Sequence, residues 1–596
     1  MEARNRLLPE WFERIRTRQI SLPRFQRAVA WGPNEVAGLL TTVLRGLPSG
    51  ATLILEVGDE LQFISRTMID APERGERITE LLLDGQQRLT ALWRSLNDSY
   101  EDRTYLVEFE ENPHNANTTQ PSVHGQSRWM RKGSRYPLWA DDPKELWERG
   151  YIPVKLLRPG DINDEIDAWI EDVIGDDIRS SRKIERIISD LRSRVAQFNL
   201  PFLSLPVSTP KEVALDVFIK MNTSSVALTT FDIMVAQVES VAGESLHDLV
   251  SKLTEEVPET TQYKSAEDLI LDVAALMQDR APNQAGYAGI NLEKMISEWD
   301  VLVDNVRFMV EFLESECIYD NRRCATDVIL PVLAALAFHL PTNPDALGNA
   351  KRVLKKYLWR SFFTNRYDRA AATAAINDFR ALRRALDCGD EIDIPAFNDD
   401  AHPIPTPEQL VTAGWPKNKN SLARAILALS LKAGARDIAD DAPITREHLE
   451  QREYHHLFPD SLLRDAGLKE EQSYRALNCA LITWRTNRKI SNKEPVEYLR
   501  ERSEANSLGE RDLDRRLQTH LIDPGSLRVG GWTDGSGKLI SERVLSDYNR
   551  FLEERANIVH HFVQQVCDGR EPNFNEIPDS GDLCSAPDLV LNHRRA

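Results

Sequence analysis

The chain has 596 residues, of which 41% are hydrophobic and 28% charged, a soluble globular composition too long for one hydrophobic core. Its formal charge of −19, from 74 Lys and Arg against 93 Asp and Glu, excludes a surface that is basic throughout, so nucleic-acid binding would need local basic clusters. The six cysteines include no C-x-x-C pair, which predicts neither a zinc knuckle nor a disulfide framework. The sequence has no apolar leader and no run of 18 apolar residues, which predicts a cytoplasmic protein without a membrane span.

Residues 1–245 predict mixed α and β structure. Pro23 favours extended backbone, which places Gln26 on a strand edge or loop. Residues 111–150 predict an insertion or loop region. The predicted strands are Thr52–Val57, Leu61–Ile64, Glu80–Leu83, Arg103–Glu110, Ile152–Val154 and Pro201–Val207. The predicted helices are Leu8–Arg18, Pro33–Arg45, a helix from Gln86, a charged helical stretch over Asp161–Phe198, one ending near Met221, and one capped by Thr229 or Thr230.

An apolar run, Leu81–Leu83, ends in a polar turn at Asp84-Gly85. A strand that breaks at a glycine and enters a helix presents free backbone N–H groups and a positive dipole end to an anion. Arg88 could add a bidentate fork to a phosphate, Asp84 could hold a metal or orient water, and Gln86 or Gln87 could bond a base, a ribose or a nucleophile. The alternative is a capped helix with a surface arginine, and spacing alone does not separate the two.

Residues 246–390 predict an almost wholly helical scaffold or connector without chemistry of its own. Residues 391–419 carry five prolines among Asp and Asn, which predicts a linker. A helix over Ser421–Lys432 follows the linker. A helix over Ser541–Val566 precedes residues 568–596, which predict a disordered tail.

Two adjacent histidines, His455 and His456, precede Pro459 and are followed by Asn478 and Asn487. Phosphodiester hydrolysis needs a general base, which a neutral imidazole supplies, and charge neutralisation, which a divalent metal supplies. On a strand the two side chains alternate and cannot both face one way, so one can bind metal while the other polarises water if the strand twists or bends beside the scissile phosphate. Asn487 offers a neutral oxygen to Mg²⁺, and Asn478 can bond the backbone of the hairpin. The alternative is a histidine pair buried beside a proline turn.

A dense basic cluster surrounds Asn487 in the sequence. It consists of Arg485, Arg488, Lys489 and Lys493. In an otherwise acidic chain these side chains are natural contacts for DNA phosphates.

Three segments in order resemble the HNH (His-Me finger) nuclease domain at the C-terminus of GmrSD-type restriction enzymes: residues 455–459, 477–482 and 487–499. That family places Asp, Glu or His before its catalytic histidine, and here the preceding residue is His455. The resemblance implies that His456 is the general base, His455 and Asn487 are metal ligands, and Asn478 orients the site.

The N-terminal region resembles the ParB/sulfiredoxin-like domain of the same enzymes. Residues 84–92 (DGQQRLTAL) match its signature, residues 22–27 with Trp31 its first box, and residues 218–232 its later Phe-x-x-x-Asn segment. The resemblance implies binding and hydrolysis of a nucleoside triphosphate. The residues it implies are Asp84, Gly85, Gln86, Gln87 and Arg88, with help from Gln26, Arg27 and Asn222. The Asn222 segment departs from the family in having Thr-Ser-Ser where a glycine is common.

These readings predict an α+β chain with a nucleotide-binding domain at 1–245, a helical connector and linker at 246–419, a ββα-metal HNH domain embedded in helices at 420–567, and the tail. The expected function is a nucleotide-regulated, metal-dependent DNA endonuclease of prokaryotic anti-phage defence that cuts foreign, modified double-stranded DNA. Mg²⁺ is the expected metal, with Mn²⁺ an alternative, and a homodimer is one expected arrangement. The alternative hypothesis is a ParB-like, nucleotide-switched DNA-binding protein with a non-catalytic HNH remnant.

Overall fold

The computed structural model describes most of the chain. The described residues are 2–26, 31–59, 61–108, 121–175, 178–221, 229–242, 244–389, 391, 393–490, 492–504 and 509–577. Arg27 and Asn222, two of the predicted site residues, lie outside these ranges, as do residues 578–596 of the predicted tail. The chain forms two compact units, residues 1–249 and 250–596.

The first unit contains a mixed six-stranded sheet, an antiparallel three-stranded sheet and a two-stranded hairpin. Its strands are β1 (Glu2–Arg4), β2 (Ile20–Pro23), β3 (Thr52–Glu56), β4 (Ser65–Arg66), β5 (Glu80–Asp84), β6 (Arg103–Glu108), β7 (Ser122–Ser127), β8 (Trp129–Arg131), β9 (Ser134–Tyr136), β10 (Tyr151–Pro153) and β11 (Phe202–Leu205). The large sheet runs β1-β11-β3-β5-β2-β4, the second β10-β6-β7, and the hairpin pairs β8 with β9.

Helices surround these sheets. They are α1 (Leu8–Arg16), α2 (Pro33–Leu44), α3 (Gln86–Leu96), α4 (Pro143–Glu148), α5 (Asn163–Ile174), α6 (Ile178–Ala196), α7 (Lys211–Met221) and α8 (Thr230–Ala242), with α9 (Leu246–Glu256) at the boundary. The amphipathic helices bury one face: Leu89, Leu92 and Leu96 of α3 are buried, as the i, i+3, i+7 spacing predicts.

Strand β5 lies inside the large sheet, antiparallel to β3 and parallel to β2. Leu81, Leu82 and Leu83 are all buried, because the strand is covered on both faces. The polar turn is therefore held at the end of a central strand, and helix α3 starts immediately after it.

The second unit is mainly helical, with one two-stranded antiparallel ladder of β12 (Arg452–His456) and β13 (Cys479–Thr483). Its helices are α10 (Thr260–Tyr263), α11 (Ala266–Met277), α12 (Gln284–Tyr287), α13 (Leu292–Ser297), α14 (Trp299–Ser315), α15 (Ile329–Ala337), α16 (Pro344–Phe363), α17 (Ala371–Cys388), α18 (Pro407–Thr412), α19 (Ser421–Lys432), α20 (Asp460–Asp465), α21 (Glu470–Ser473), α22 (Trp484–Ile490), α23 (Pro495–Glu504), α24 (Glu510–Gln518), α25 (Pro524–Leu527) and α26 (Ser541–Cys567).

The α+β class is confirmed, and so are the helical character of 246–390 and the helix over Ser421–Lys432. Two local predictions for the first unit are wrong. Leu61–Ile64 is not a strand; the short strand of that region is β4, and Leu61 is exposed. The predicted loop region contains ordered strands from residue 122 onward, because β7 completes a three-stranded sheet with β6.

The proline-rich segment 391–419 packs into the second unit and does not run free as a linker. Ala396 and Leu410 are fully buried, and Trp415 is 5% exposed. Prolines start its short helical turns, as in α18, where Thr406 caps the helix through a capping box. Part of the predicted tail also packs, since the ring of Phe574 lies 4.9 Å from that of Phe562.

No helix of the described chain combines the length and the apolar content needed to cross a bilayer.

Candidate functional site

The two histidines lie on β12 and project from opposite faces of the β12–β13 ladder. His455 pairs with Ala480 and His456 with Cys479. The alternation expected for a strand is therefore present. His455 faces helix α22, whereas His456 faces Trp415 of the proline-rich segment and Tyr474 at the end of α21.

On the first face, the structure brings His455 and Asn487 together. His455 Nδ1 lies 2.8 Å from Asn487 Oδ1, and Asn487 Nδ2 donates to Glu453 Oε2 at 2.8 Å. Because the Glu453 carboxylate only accepts, the amide nitrogen of Asn487 must face it, which turns Oδ1 towards His455. The Nδ1 atom of His455 therefore carries a proton, and Nε2 carries the free lone pair.

The free lone pair of His455 is buried. The residue is 3% exposed, and Nε2 has no hydrogen-bond partner among the described residues. Burial lowers the pKa of His455 to about 4, against a smaller opposing effect of the Asn487 hydrogen bond, so the ring is neutral at physiological pH. A neutral imidazole with a bare Nε2 is the form that binds a divalent metal or accepts a proton.

This face fits a divalent cation in part. His455 Nε2 and the Glu453 carboxylate are suitable donors. In the observed geometry Asn487 orients the imidazole of His455, because its Oδ1 accepts the proton on His455 Nδ1. Asn487 could bind a cation directly only if that hydrogen bond were broken. Within the described residues, no group of three or more His, Cys, Asp and Glu side chains is placed to hold an ion. Water or substrate oxygens would have to complete the coordination.

On the second face, aromatic rings enclose His456. The Trp415 indole lies parallel to the imidazole at 4.2 Å between centroids, and the Tyr474 ring stands edge-on at 4.6 Å. His456 Nε2 is buried without a hydrogen-bond partner in the described chain. Burial lowers the pKa of His456 to about 4, with Arg464 adding to the effect and Asp460 opposing it. The ring is therefore neutral and able to accept a proton.

Asn478 fixes the backbone that follows the histidines. Its Oδ1 accepts from Phe458 N at 2.8 Å, and its Nδ2 donates to Phe458 O and Ser473 O, both at 3.1 Å. The side chain is fully buried. These hydrogen bonds fix the backbone two residues after His456 and connect it to the start of β13. The sequence predicted that Asn478 would bond the backbone of this hairpin.

Asp437, which the sequence analysis missed, joins the two elements of the first face. Its carboxylate accepts from Thr483 N at 2.6 Å and Thr486 Oγ1 at 2.8 Å, at the start of α22, and lies 3.3 Å from Arg452 Nη1 on β12. Burial favours the neutral acid, but the hydrogen bonds outweigh it and hold the pKa of Asp437 below its usual range. Asp437 is one of three aspartates between residues 437 and 441, and nothing in the sequence distinguishes it from the other two.

The predicted DNA contacts differ in their availability. Arg485 and Arg488 are exposed, flank the Trp484 ring at 5.5 Å and 5.0 Å, and have no carboxylate within 4.0 Å among the described residues. Lys493 is instead paired with Glu501 at 2.6 Å. The side chain of Lys489 lies outside the described part. Two free arginines therefore stand on the helix that carries Asn487.

In the first unit, the first box and the polar turn meet at the end of β5. Gln26 is buried and donates through Nε2 to Leu82 O at 2.8 Å and Leu83 O at 2.7 Å. Its Oε1 is buried without a partner in the described chain. The structure therefore brings Gln26 to the strand that delivers Asp84, although the two lie far apart in sequence.

Gly85 is required by the turn. Its φ is +97°, and a Cβ there would lie 2.4 Å from Thr52 Cγ2. Only glycine reaches this left-handed conformation without strain, and only glycine leaves room for β3.

Arg88 is bonded to backbone as well as to Asp84. It donates to Ser49 O and Ala51 O, both at 2.8 Å, and lies 3.3 Å from Asp84 Oδ2. Burial lowers the pKa of Arg88 and raises that of Asp84, while each charge partly offsets the other effect. In this geometry Arg88 fixes residues 49–51 beside the turn; a phosphate contact by its side chain stays a prediction.

Comparison with known proteins identifies the first unit. Residues 8–239 match the family model for the N-terminal domain of the GmrSD restriction endonuclease. Over 579 residues, the chain is 23% identical to a protein of Methanocaldococcus jannaschii named only as uncharacterized, covering 91% of this chain and 95% of that protein. The first unit is therefore similar to the N-terminal domain of the GmrSD restriction endonuclease, and the second similarity runs through both units.

Proposed function

We propose that the chain is a nucleotide-regulated DNA endonuclease of prokaryotic defence, with its nuclease site on β12, β13 and α22. The observation that carries this proposal is the buried, neutral His455, whose ring Asn487 turns so that Nε2 is bare. The exposed Arg485 and Arg488 stand on the same helix as Asn487. The GmrSD-type domain in the same chain supports a restriction enzyme as the class.

In this proposal the two histidines have separate tasks. His455 presents Nε2 to a divalent cation, Mg²⁺ being the first candidate, and Asn487 sets its tautomer and orientation. A bound cation would supply charge neutralisation at the leaving oxygen. His456 is the general base that the resemblance to HNH nucleases implies: its ring is neutral and stacked on Trp415, and Asn478 holds the Phe458 backbone two residues later. Arg485 and Arg488 would contact DNA phosphates.

The N-terminal turn is proposed as the regulatory nucleotide site. The amides that open α3, beside Gly85, offer donors to a phosphate. Gln26, whose buried Oε1 lacks a partner in the described chain, lies at the same end of β5. An unregulated nuclease would cut host DNA, so coupling cleavage to nucleotide state has a clear physical purpose.

Plasmid nicking tests the nuclease. Wild type is compared with His455→Ala and His456→Ala on modified and unmodified supercoiled DNA, with Mg²⁺ or Mn²⁺ and each nucleoside triphosphate. His448→Ala, which removes an exposed histidine just before β12, is the control. Both site variants should lose nicking while the control keeps it. A wild type that leaves every DNA uncut would contradict the nuclease assignment and favour the DNA-binding alternative. Site variants that cut normally would remove His455 and His456 from the nuclease site.

Nucleotide turnover tests the turn. Asp84→Asn and Arg88→Ala should both reduce nucleoside triphosphate hydrolysis, whereas Arg16→Ala, in an exposed pair with Glu13, should not. Melting temperatures identify a variant that has lost its fold, since Arg88 also holds the 49–51 backbone. Unchanged turnover in folded Asp84→Asn and Arg88→Ala would remove the turn from the site.

A further inference from the structure

The hairpin formed by β8 and β9 is a short two-stranded ribbon of the first unit. Trp129 pairs with Tyr136, Met130 with Arg135 and Arg131 with Ser134. The two turn residues, Lys132 and Gly133, have φ of +51° and +80°. Positive φ at both central residues is the geometry that matches the twist of a two-residue hairpin, so the ribbon is locally well formed.

The hairpin is basic in an acidic chain. Residues 121–140 contain four arginines and lysines and no aspartate or glutamate, against a net charge of −19 for the whole protein. One of the four, Arg128, is buried at the base of the ribbon and paired with Asp98 at 3.1 Å and Asp141 at 2.6 Å. These two ion pairs of Arg128 anchor the base of the hairpin to the rest of the unit.

The other three cations are free. Arg131, Lys132 and Arg135 are exposed, and none has a carboxylate within 4.0 Å in the described part of the chain. Three unpaired cations within five residues repel one another, a cost that a polyanion on the hairpin would relieve. Their spacing around the turn also lets all three reach one partner.

Large apolar side chains accompany these charges. Met130 is 67% and Trp129 52% exposed, and the Trp129 ring lies 6.4 Å from Tyr136 at an interplanar angle of 19°. Because opposite residues of a ladder share a face, Trp129 and Arg131 lie on one side of the ribbon, and Met130 and Arg135 on the other. Each face thus offers one apolar and one cationic side chain.

We propose that the β8–β9 hairpin is a second contact for double-stranded DNA, with its cations on phosphates and Trp129 and Met130 against the groove. A two-stranded ribbon fits the major groove of B-form DNA, and cations fit its flanking phosphates. The deep, narrow major groove of double-stranded RNA does not admit such a ribbon. Tyr136 lies beside Trp129 in an offset arrangement with the ring centroids 6.4 Å apart, which restricts the stacking of single-strand bases on that side. The choice of nucleic acid rests on the proposed function.

The salt dependence of binding tests the hairpin directly. Full-length Arg131→Ala/Lys132→Ala/Arg135→Ala is compared with wild type by fluorescence anisotropy on a labelled duplex, in EDTA so that no cutting occurs. Three lost phosphate contacts should reduce the slope of log affinity against log salt by about 2.7, at about 0.9 for each contact, and weaken binding. Trp129→Ala/Met130→Ala should weaken binding several-fold while keeping the slope.

The matched control is Lys155→Ala/Arg182→Ala/Arg186→Ala, which removes three exposed cations of the same unit that lie outside the hairpin. It changes net charge equally and should keep the wild-type slope. An equal loss of slope in control and hairpin variants would reduce the effect to net charge and overturn the proposal, as would a wild type without DNA affinity. A hairpin dependence seen with a single strand or an RNA duplex, but not with the DNA duplex, would overturn the choice of partner.

The two proposals fail differently. If DNA is bound through the hairpin but never cut, the nuclease assignment fails and the hairpin contact stands. If plasmid is nicked through His456 while the triple hairpin variant binds with the wild-type slope, the hairpin contact fails and the nuclease stands.

Discussion

The indole of Trp415 lies parallel to the imidazole of His456, with the two ring centroids 4.2 Å apart and the planes at 11°. Trp415 comes from the proline-rich segment that looks like a linker in the sequence, yet it is buried and covers one face of the histidine. The orientation of His456 therefore depends on a segment 41 positions upstream as much as on its own strand.

Trp415→Ala should reduce plasmid nicking more than Trp415→Phe, because phenylalanine keeps a stacking ring and alanine does not. Loss of a buried tryptophan also costs about 3–5 kcal/mol of folding free energy, so nicking is compared at a temperature where both variants remain folded. Equal nicking by the two folded variants would show that the stack does not position His456.

Glu453→Ala should shift the tautomer of His455. Without the carboxylate, the Asn487 amide is free to turn its nitrogen towards the ring, and Nδ1 then loses its acceptor. The ¹³Cδ2 signal of selectively labelled histidine, assigned with His455→Asn, reports the tautomer in the full chain. Glu450→Ala, which removes an exposed acid three residues earlier, should leave that signal in place. An unchanged signal in Glu453→Ala would show that Glu453 does not set the tautomer of His455.

Gly85→Ala should destabilise the first unit more than Gly46→Ala. Both positions have positive φ, which costs an alanine about 1–2 kcal/mol, but an added Cβ meets nothing within 4 Å at Gly46 and lies 2.4 Å from Thr52 Cγ2 at Gly85. Chemical unfolding measures the difference. Thr52→Ser, which removes Cγ2, should recover part of the loss in the double variant; no recovery would mean that the clash is not with Thr52.

Glu239→Gln should stabilise the protein increasingly as the pH rises. Glu239 on α8 is 1% exposed, and burial raises its pKa from the ordinary 4.5 to about 7. Because the folded pKa lies above the unfolded one, folding favours the protonated acid; that stability is present below about pH 4.5 and is lost as the pH approaches 7. The melting temperature of Glu239→Gln minus that of wild type should therefore rise between pH 5 and pH 8. The exposed Glu244→Gln should show no such trend, and a flat difference in Glu239→Gln would contradict the buried-acid reading.

Local sequence patterns predicted the helices, strands and turns that depend only on neighbouring residues. The apolar run Leu81–Leu83, the glycine after it and the spacing of Leu89, Leu92 and Leu96 predict β5, the turn and α3 in the positions where they occur. These features depend on neighbours within a few residues, which a sequence displays directly.

Contacts between distant segments could not be predicted in the same way. Trp415 stands in a segment without helical or strand periodicity, so nothing in its surroundings indicates burial. Its burial, and that of Leu410, arises from contacts with segments that are distant in the sequence. Asp437 joins the start of α22 to β12, and no spacing rule relates it to either. The backbone contacts of Asn478 could be predicted from its amide chemistry, but its specific partners Phe458 and Ser473 could not.

The β12–β13 ladder controls which histidine faces α22. Because side chains alternate along a strand, a slip of one residue in its pairing would exchange the faces of His455 and His456 and place the wrong ring beside Asn487. Asn478 locks one end of the ladder and Asp437 the other. These two buried polar residues therefore hold the pairing register of the ladder. A substitution of either residue would change which histidine faces α22 while the ladder itself remains.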